Sequence, residues 1–105
     1  MTDEEIIKCL QGPGKFDTKV QSEADALRIV RLALPHAVEL PPAIAGKSYP
    51  APPAGAKAWF QVHPPDAASG SGLPNLPHVK YVDWTRGKRK KGGSWGHVFF
   101  PSEEE

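Results

Sequence analysis

The stretch His78-Val79-Lys80-Tyr81-Val82-Asp83-Trp84, then Thr85-Arg86-Gly87-Lys88-Arg89-Lys90-Lys91-Gly92-Gly93, then Ser94-Trp95-Gly96-His97-Val98-Phe99-Phe100, decides how the chain is read. Two runs rich in β-branched and aromatic residues bracket a basic, glycine-containing segment. That pattern predicts strands over 78–84 and 94–100, joined by a loop too long for a two-residue turn. Alternation along the first strand puts Val79, Tyr81 and Asp83 on one face and His78, Lys80, Val82 and Trp84 on the other. One register sets Tyr81 opposite His97 and Asp83 opposite Trp95. A slip of one residue exchanges the faces, and the pattern leaves both registers open.

Working back towards the N-terminus, Lys57-Ala58-Trp59-Phe60-Gln61-Val62 predicts a strand over 57–62, with Trp59 and Phe60 as core. Pro64-Pro65 ends it, and residues 66–77, with Ser69-Gly70-Ser71-Gly72, read as a flexible loop. Residues 41–56 are too rich in Pro, Ala and Gly for regular structure and read as a stiffened, extended connection. A short strand is expected over 36–40, stopped by Pro41-Pro42. Ser22-Glu23-Ala24-Asp25 opens a helix over 22–34, with acids in its first turn where they complement the dipole. Ala26, Leu27, Val30, Ala33 and Leu34 form its core-directed face. Thr2-Asp3-Glu4-Glu5 fits a capping box for a short helix over 1–11 with Ile6, Ile7 and Leu10 as its stripe. Gln11-Gly12-Pro13-Gly14 stops that helix; Gly12-Pro13-Gly14-Lys15 lacks the GxxxxGK[ST] spacing of a phosphate loop and reads as a turn. The expected architecture is α+β: one or two N-terminal helices on a small antiparallel sheet of three to four strands, with 101–105 as an acidic tail.

Composition bounds the chemistry. A chain of 105 residues fits one domain, here 1–105, with a thin core. The single cysteine, Cys9, excludes an internal disulfide, Cys-rich metal sites and the zinc nucleobase deaminases, and reads as a small buried hydrophobe. No apolar run approaches the roughly 18 residues of a membrane-spanning helix. The acidic start, Asp3-Glu4-Glu5, is unlike a signal peptide, so no export signal is expected in this chain. The formal net charge of +1 conceals asymmetry: 74–100 carries six bases against Asp83, and five of the nine aromatics. A basic, aromatic-rich end either holds a polyanion or merely keeps an exposed turn solvated.

Those residue types suit RNA cleavage, where the substrate's 2′-OH attacks its own phosphate and the protein supplies a base, an acid and cations. His97 is the first candidate for proton carrier, with His78 and Lys80 as further catalytic candidates. Arg86, Lys88, Arg89, Lys90 and Lys91 are the candidate phosphate contacts, with Ser94 beside them. Trp84 and Trp95 either stack an unpaired base or clamp the hairpin by cross-strand packing. Glycines 92, 93 and 96 would let a phosphate approach the backbone. Each histidine also has an ordinary structural reading: His36 as a surface or capping residue, His63 and His78 as structural or substrate-positioning residues. The absence of HExxH, of a Cys–His–Asn set and of GxSxG gives no support to a metalloprotease or hydrolase triad. The reading calls for no metal and no cofactor.

Gly12-Pro13-Gly14-Lys15-Phe16-Asp17 before an amphipathic helix resembles the opening of C-terminal toxin modules of bacterial polymorphic toxin systems. The ending Leu76-Pro77-His78 to Trp84, Gly87-Lys88, Gly92-Gly93-Ser94 and Gly96-His97-Val98-Phe99-Phe100 resembles them too. Such modules end large Rhs-type or contact-dependent effectors, and many belong to the barnase–EndoU–colicin–RelE class of metal-independent ribonucleases. The resemblance implies helices on an antiparallel sheet bearing His, Lys and Arg, cleavage of cellular RNA (tRNA among the candidates), and a dedicated immunity protein as inhibitor. It also implies delivery into a target-cell cytoplasm within a secreted effector, with Met1 an expression start rather than a natural terminus. Two competing readings remain: a non-catalytic module binding nucleic acid or an acidic protein, and a metal-dependent DNase with His63, His78 or His97 as ligands.

Overall fold

The computed structural model describes residues 1–44, 46–47, 49–65 and 76–102. Residues 66–75 of the predicted 66–77 loop and 103–105 of the predicted acidic tail lie outside the described residues. The elements run α1 (Asp3–Gln11), β1 (Gly14–Lys19), α2 (Glu23–Ala33), β2 (Val38–Glu39), β3 (Ala58–His63), β4 (His78–Asp83) and β5 (Ser94–Phe99).

Both helices begin where their caps dictate. The Thr2 hydroxyl accepts from Glu5 N (3.2 Å) while the Glu5 carboxylate accepts from Thr2 N (2.9 Å), closing the capping box. The Ser22 hydroxyl accepts from Asp25 N at 3.1 Å. Ile6 and Leu10 of α1 meet Ala26, Ile29, Val30 and Ala33 of α2 and Leu34 just after it, and this apolar layer covers Phe60, Val79, Tyr81, Val98 and Phe100 on one face of the sheet. Removing those side chains from water at roughly 25 cal/mol per Å² of apolar surface is the main stabilising term.

Among the described residues the sheet has five strands in the order β1-β5-β4-β3-β2 and is mixed, not antiparallel with three to four strands. β3, β4 and β5 pair antiparallel as expected, but β1 runs parallel to β5 and β2 parallel to β3. β1 starts inside the Gly12–Lys15 segment expected to be a turn and runs on through residues 16–19, where the sequence pattern predicts no element. Its Lys15-Phe16-Asp17-Thr18-Lys19 run carries few strong β-formers, and its partner lies some 80 positions away, so nothing local announces it. Lys15 and Lys19 point outwards on this edge strand, where charge discourages a further strand from pairing. β2 shrinks to two residues. The β4–β5 register is the slipped one: Tyr81 faces Gly96, Lys80 faces His97, Val82 faces Trp95 and Asp83 faces Ser94.

At the end of β4, Asp83 is 5% exposed. Burial opposes its ionisation, but hydrogen bonds from the Thr85 hydroxyl (2.5 Å) and Thr85 N (3.0 Å), with His36 Nε2 at 3.2 Å, outweigh it and hold the carboxyl below its ordinary value. A carboxyl depressed in the folded state contributes stability above its unfolded pKa of about 4 and loses it as acid titrates it through the lower folded value. Asp83→Asn is therefore expected to cost on the order of 1 kcal/mol at neutral pH. Urea unfolding of both proteins should show the gap holding steady above about pH 4 and closing below it.

Candidate functional site

The helices cover one face of the sheet, and the register arranges the other. Residues aligned across the strands form three transverse rows there: Lys15–Trp95–Val82–Trp59, Asp17–His97–Lys80–Gln61, and Lys19–Phe99–His78–His63. Neighbours within a row stand about 4.8 Å apart along the hydrogen-bonding direction, and successive rows roughly 6.7 Å apart. The middle row is polar throughout.

Its centre is a carboxylate–imidazole pair. Asp17 Oδ1 accepts from His97 N at 3.0 Å and meets His97 Nδ1 at 2.9 Å. An ionised carboxylate has no proton to give, so Nδ1 carries the hydrogen and Nε2 is left to exchange a proton. Lys15 Nζ lies 3.5 Å from the other Asp17 oxygen. The side chains of His97 and Asp17 keep 13% and 16% of their exposure, low enough to hold the pair and high enough for water or a solute to reach it. Lys80, exposed, is the cross-strand neighbour of His97.

The row below is packed. His78, 2% exposed, meets the His97 ring edge-on at 5.1 Å and lies 5.4 Å from the His63 ring, while its Nδ1 sits 3.0 Å from the Leu76 carbonyl. His63 Nε2 lies 2.9 Å from Gln61 Oε1, and the Gln61 amide donates to the carbonyls of Pro41 (2.8 Å) and Pro50 (3.3 Å). Among the described residues, no group of three or more His, Cys, Asp or Glu is arranged to hold a metal ion.

The 85–93 loop folds back on itself through Lys91 N to Lys88 O (2.9 Å) and Gly93 N to Lys88 O (3.1 Å). Lys88, Arg89, Lys90 and Lys91 are exposed. Arg89 places its guanidinium 5.0 Å from the centre of the Trp95 ring, a cation–π contact on the same face as His97. Trp84 lies 6.0 Å from Trp95 and fills the space where a Gly93 side chain would be. Two candidates sit elsewhere: Arg86 donates to the Gln11 carbonyl on the helical side, and Ser94 is fully buried with its hydroxyl donating to Gly12 O at 2.5 Å. At the glycines expected to admit a phosphate, the protein itself fills the space a side chain would take; Gly93 and Gly96 are buried and Gly92 is exposed. A β-carbon at Gly96 would lie 1.8 Å from Phe16 O, one at Gly93 2.3 Å from Gly87 O, and one at Gly92 2.7 Å from Arg86 O. Trp59, expected in the core, is half-buried on the open face instead.

The pattern reading gave no role to Asp17, Gln61 or Tyr49. Asp17 escaped because β1 went unrecognised as a strand. Tyr49 escaped because it lies in the irregular connection, which bends back over β3 and puts the phenol ring 4.7 Å from His63. Tyr81, on the helical face, is no rival proton carrier: burial, and then the Asp17 carboxylate, push its phenol far above the usual range, and its hydroxyl donates to Phe16 O. No described helix is long and apolar enough to cross a membrane. No family model, curated protein sequence or solved structure gives a significant match to this chain.

Proposed function

We propose that the helix-free face is the active surface of a metal-independent ribonuclease. The observation that carries the reading is the Asp17–His97 pair beside exposed Lys80, with Arg89 on Trp95 one row away. In this reading His97 Nε2 takes the proton of a ribose 2′-OH as that oxygen attacks the adjacent phosphorus. Lys80 opposes the charge gathering on the phosphoryl oxygens and protonates the departing 5′-oxygen, leaving a 2′,3′-cyclic phosphate. Asp17 keeps the imidazole in the required tautomer, and His78 braces its ring as a positioning residue. Lys88 to Lys91 guide the strand electrostatically.

A second His–Asp pair, His36–Asp83, is a weaker candidate, because Asp83 is already spent on Thr85 and the nearby Arg86 is held by the Gln11 carbonyl. The chain is further proposed to be the toxin module of a larger effector acting on RNA in a target cell, neutralised by a dedicated immunity protein with an acidic face. The non-catalytic reading draws on one observation: the His97 backbone N–H shares Asp17 Oδ1, so the pair also ties β1 to β5. Incubating the protein with total RNA in excess chelator tests the choice. The expected result is fragments ending in cyclic phosphate, formed more slowly as salt rises. Intact RNA with a mobility shift would leave binding alone, and cleavage only with added metal would favour a metal-dependent nuclease.

A further inference from the structure

The proline-rich connection 41–56 does more than link β2 to β3. Its residues 49–52 lie over the helix-free face and, with β3 and β4, border an open cleft of about 170 Å³. Tyr49, Pro50 and Pro52 line it from the connection and Trp59 from β3; buried Gln61 and His63 form its base, and Lys80 is exposed. Tyr49 is 40% exposed and Trp59 half-buried, so flat apolar surface remains available in the cleft. The base is rigid: Gln61 is held by two carbonyls of the connection and by His63. Prolines restrict the wall and lower the entropy lost on binding.

We infer that this cleft is a nucleobase subsite, taking the unpaired base of the nucleotide whose phosphate lies at Lys80 and His97. This inference rests on the ribonuclease reading for its phosphate position. Two features of the cleft select the ligand. Aromatic and proline walls suit a planar heteroaromatic ring, which gains about 1–3 kcal/mol per stacked base. Lys80 belongs to both the cleft and the His97 row, so a ligand with a ring in the cleft and a negative charge one residue away, as in a nucleotide, would meet both. The Gln61 amide hydrogens already serve protein carbonyls, so stacking and size, rather than hydrogen bonds from Gln61 donors, choose the base. The subsite accordingly favours an unpaired strand and discriminates weakly among bases.

The test is a titration of the intact protein, followed by NMR of backbone and indole N–H groups, with uridine 3′-monophosphate, adenosine 3′-monophosphate, ribose 5-phosphate, inorganic phosphate and polyglutamate. Both nucleotides should shift the Trp59 indole and the amides around Tyr49, and bind about tenfold more tightly than ribose 5-phosphate. Trp59→Ala and Tyr49→Ala should each remove most of that advantage while leaving inorganic phosphate binding unchanged. Tyr49 lies outside the strands, so its variant keeps the test meaningful if Trp59→Ala fails to fold. Equal binding of nucleotides and ribose 5-phosphate, shifts confined to Trp95, or polyglutamate alone perturbing the cleft would each overturn the inference. RNA cleavage, measured in parallel, separates the two readings. Nucleotide capture without cleavage keeps the subsite and discards catalysis, whereas cleavage of single-stranded RNA unchanged in both variants keeps catalysis and discards the subsite.

Discussion

Replacing His97 by alanine should lower RNA cleavage by about 10²–10⁴-fold, the range a positioned acid–base group contributes. The protein should stay folded: the His97 N–H still reaches Asp17, and one lost side-chain hydrogen bond costs about 1 kcal/mol. Single-turnover cleavage, with circular dichroism as the control for folding, measures both. Asp17→Asn is the sharper companion. An asparagine keeps its oxygen towards the His97 backbone N–H but carries no charge, so it no longer stabilises the imidazolium that forms when Nε2 takes a proton. Activity should fall about 10²-fold with little change in RNA affinity, as expected for a group that acts through the imidazole. If His97→Ala cleaves RNA as fast as the parent protein, the assignment of the site is wrong. In bacteria, induction of the parent chain should arrest growth and induction of His97→Ala should not.

The largest effect on stability is expected at Gly96. Its backbone lies so close to β1 that an added β-carbon would sit 1.8 Å from Phe16 O and 2.7 Å from Phe16 C, with the Tyr81 hydroxyl at 3.0 Å. Two backbones in one ladder cannot separate without breaking their hydrogen bonds, so Gly96→Ala must displace β1. The cost should exceed about 3 kcal/mol, a large share of the 5–15 kcal/mol that holds a domain together. Thermal unfolding should move down by on the order of 10–20 °C. Gly55→Ala is the control: its φ of +84° is strained for alanine, but nothing lies within 4 Å of the new carbon. It should cost only about 1 kcal/mol. Because β1 carries Asp17, Gly96→Ala should also weaken cleavage in whatever fraction remains folded.

Much of the fold could be read from the chain because the signals were local. The capping box at Thr2, the N-cap at Ser22, the apolar spacing of α2 and the alternation of β3, β4 and β5 each lie within a few residues of the element they specify. Parallel β1 was missed because Lys15-Phe16-Asp17-Thr18-Lys19 becomes a strand only against β5, whose Gly96 leaves room for it. The hairpin register could not be chosen locally either, since the 85–93 loop folds through its own glycines, with Gly87 at φ +133° and Gly92 at +99°. The slipped register is what sets Lys80, rather than Tyr81, beside His97.

The sequence by itself determined the helices, the three antiparallel strands, the basic loop and the residue types available for chemistry, because caps, alternation and charge runs act over short distances. Only the tertiary structure decided which of those residues meet. It brought Asp17 to His97 across 80 positions, buried Ser94, turned Arg86 to the helices and laid Tyr49 over His63. The physical reason is that strand order and register are chosen by burial of the whole apolar face at once, and the polar row on the opposite face follows from that choice.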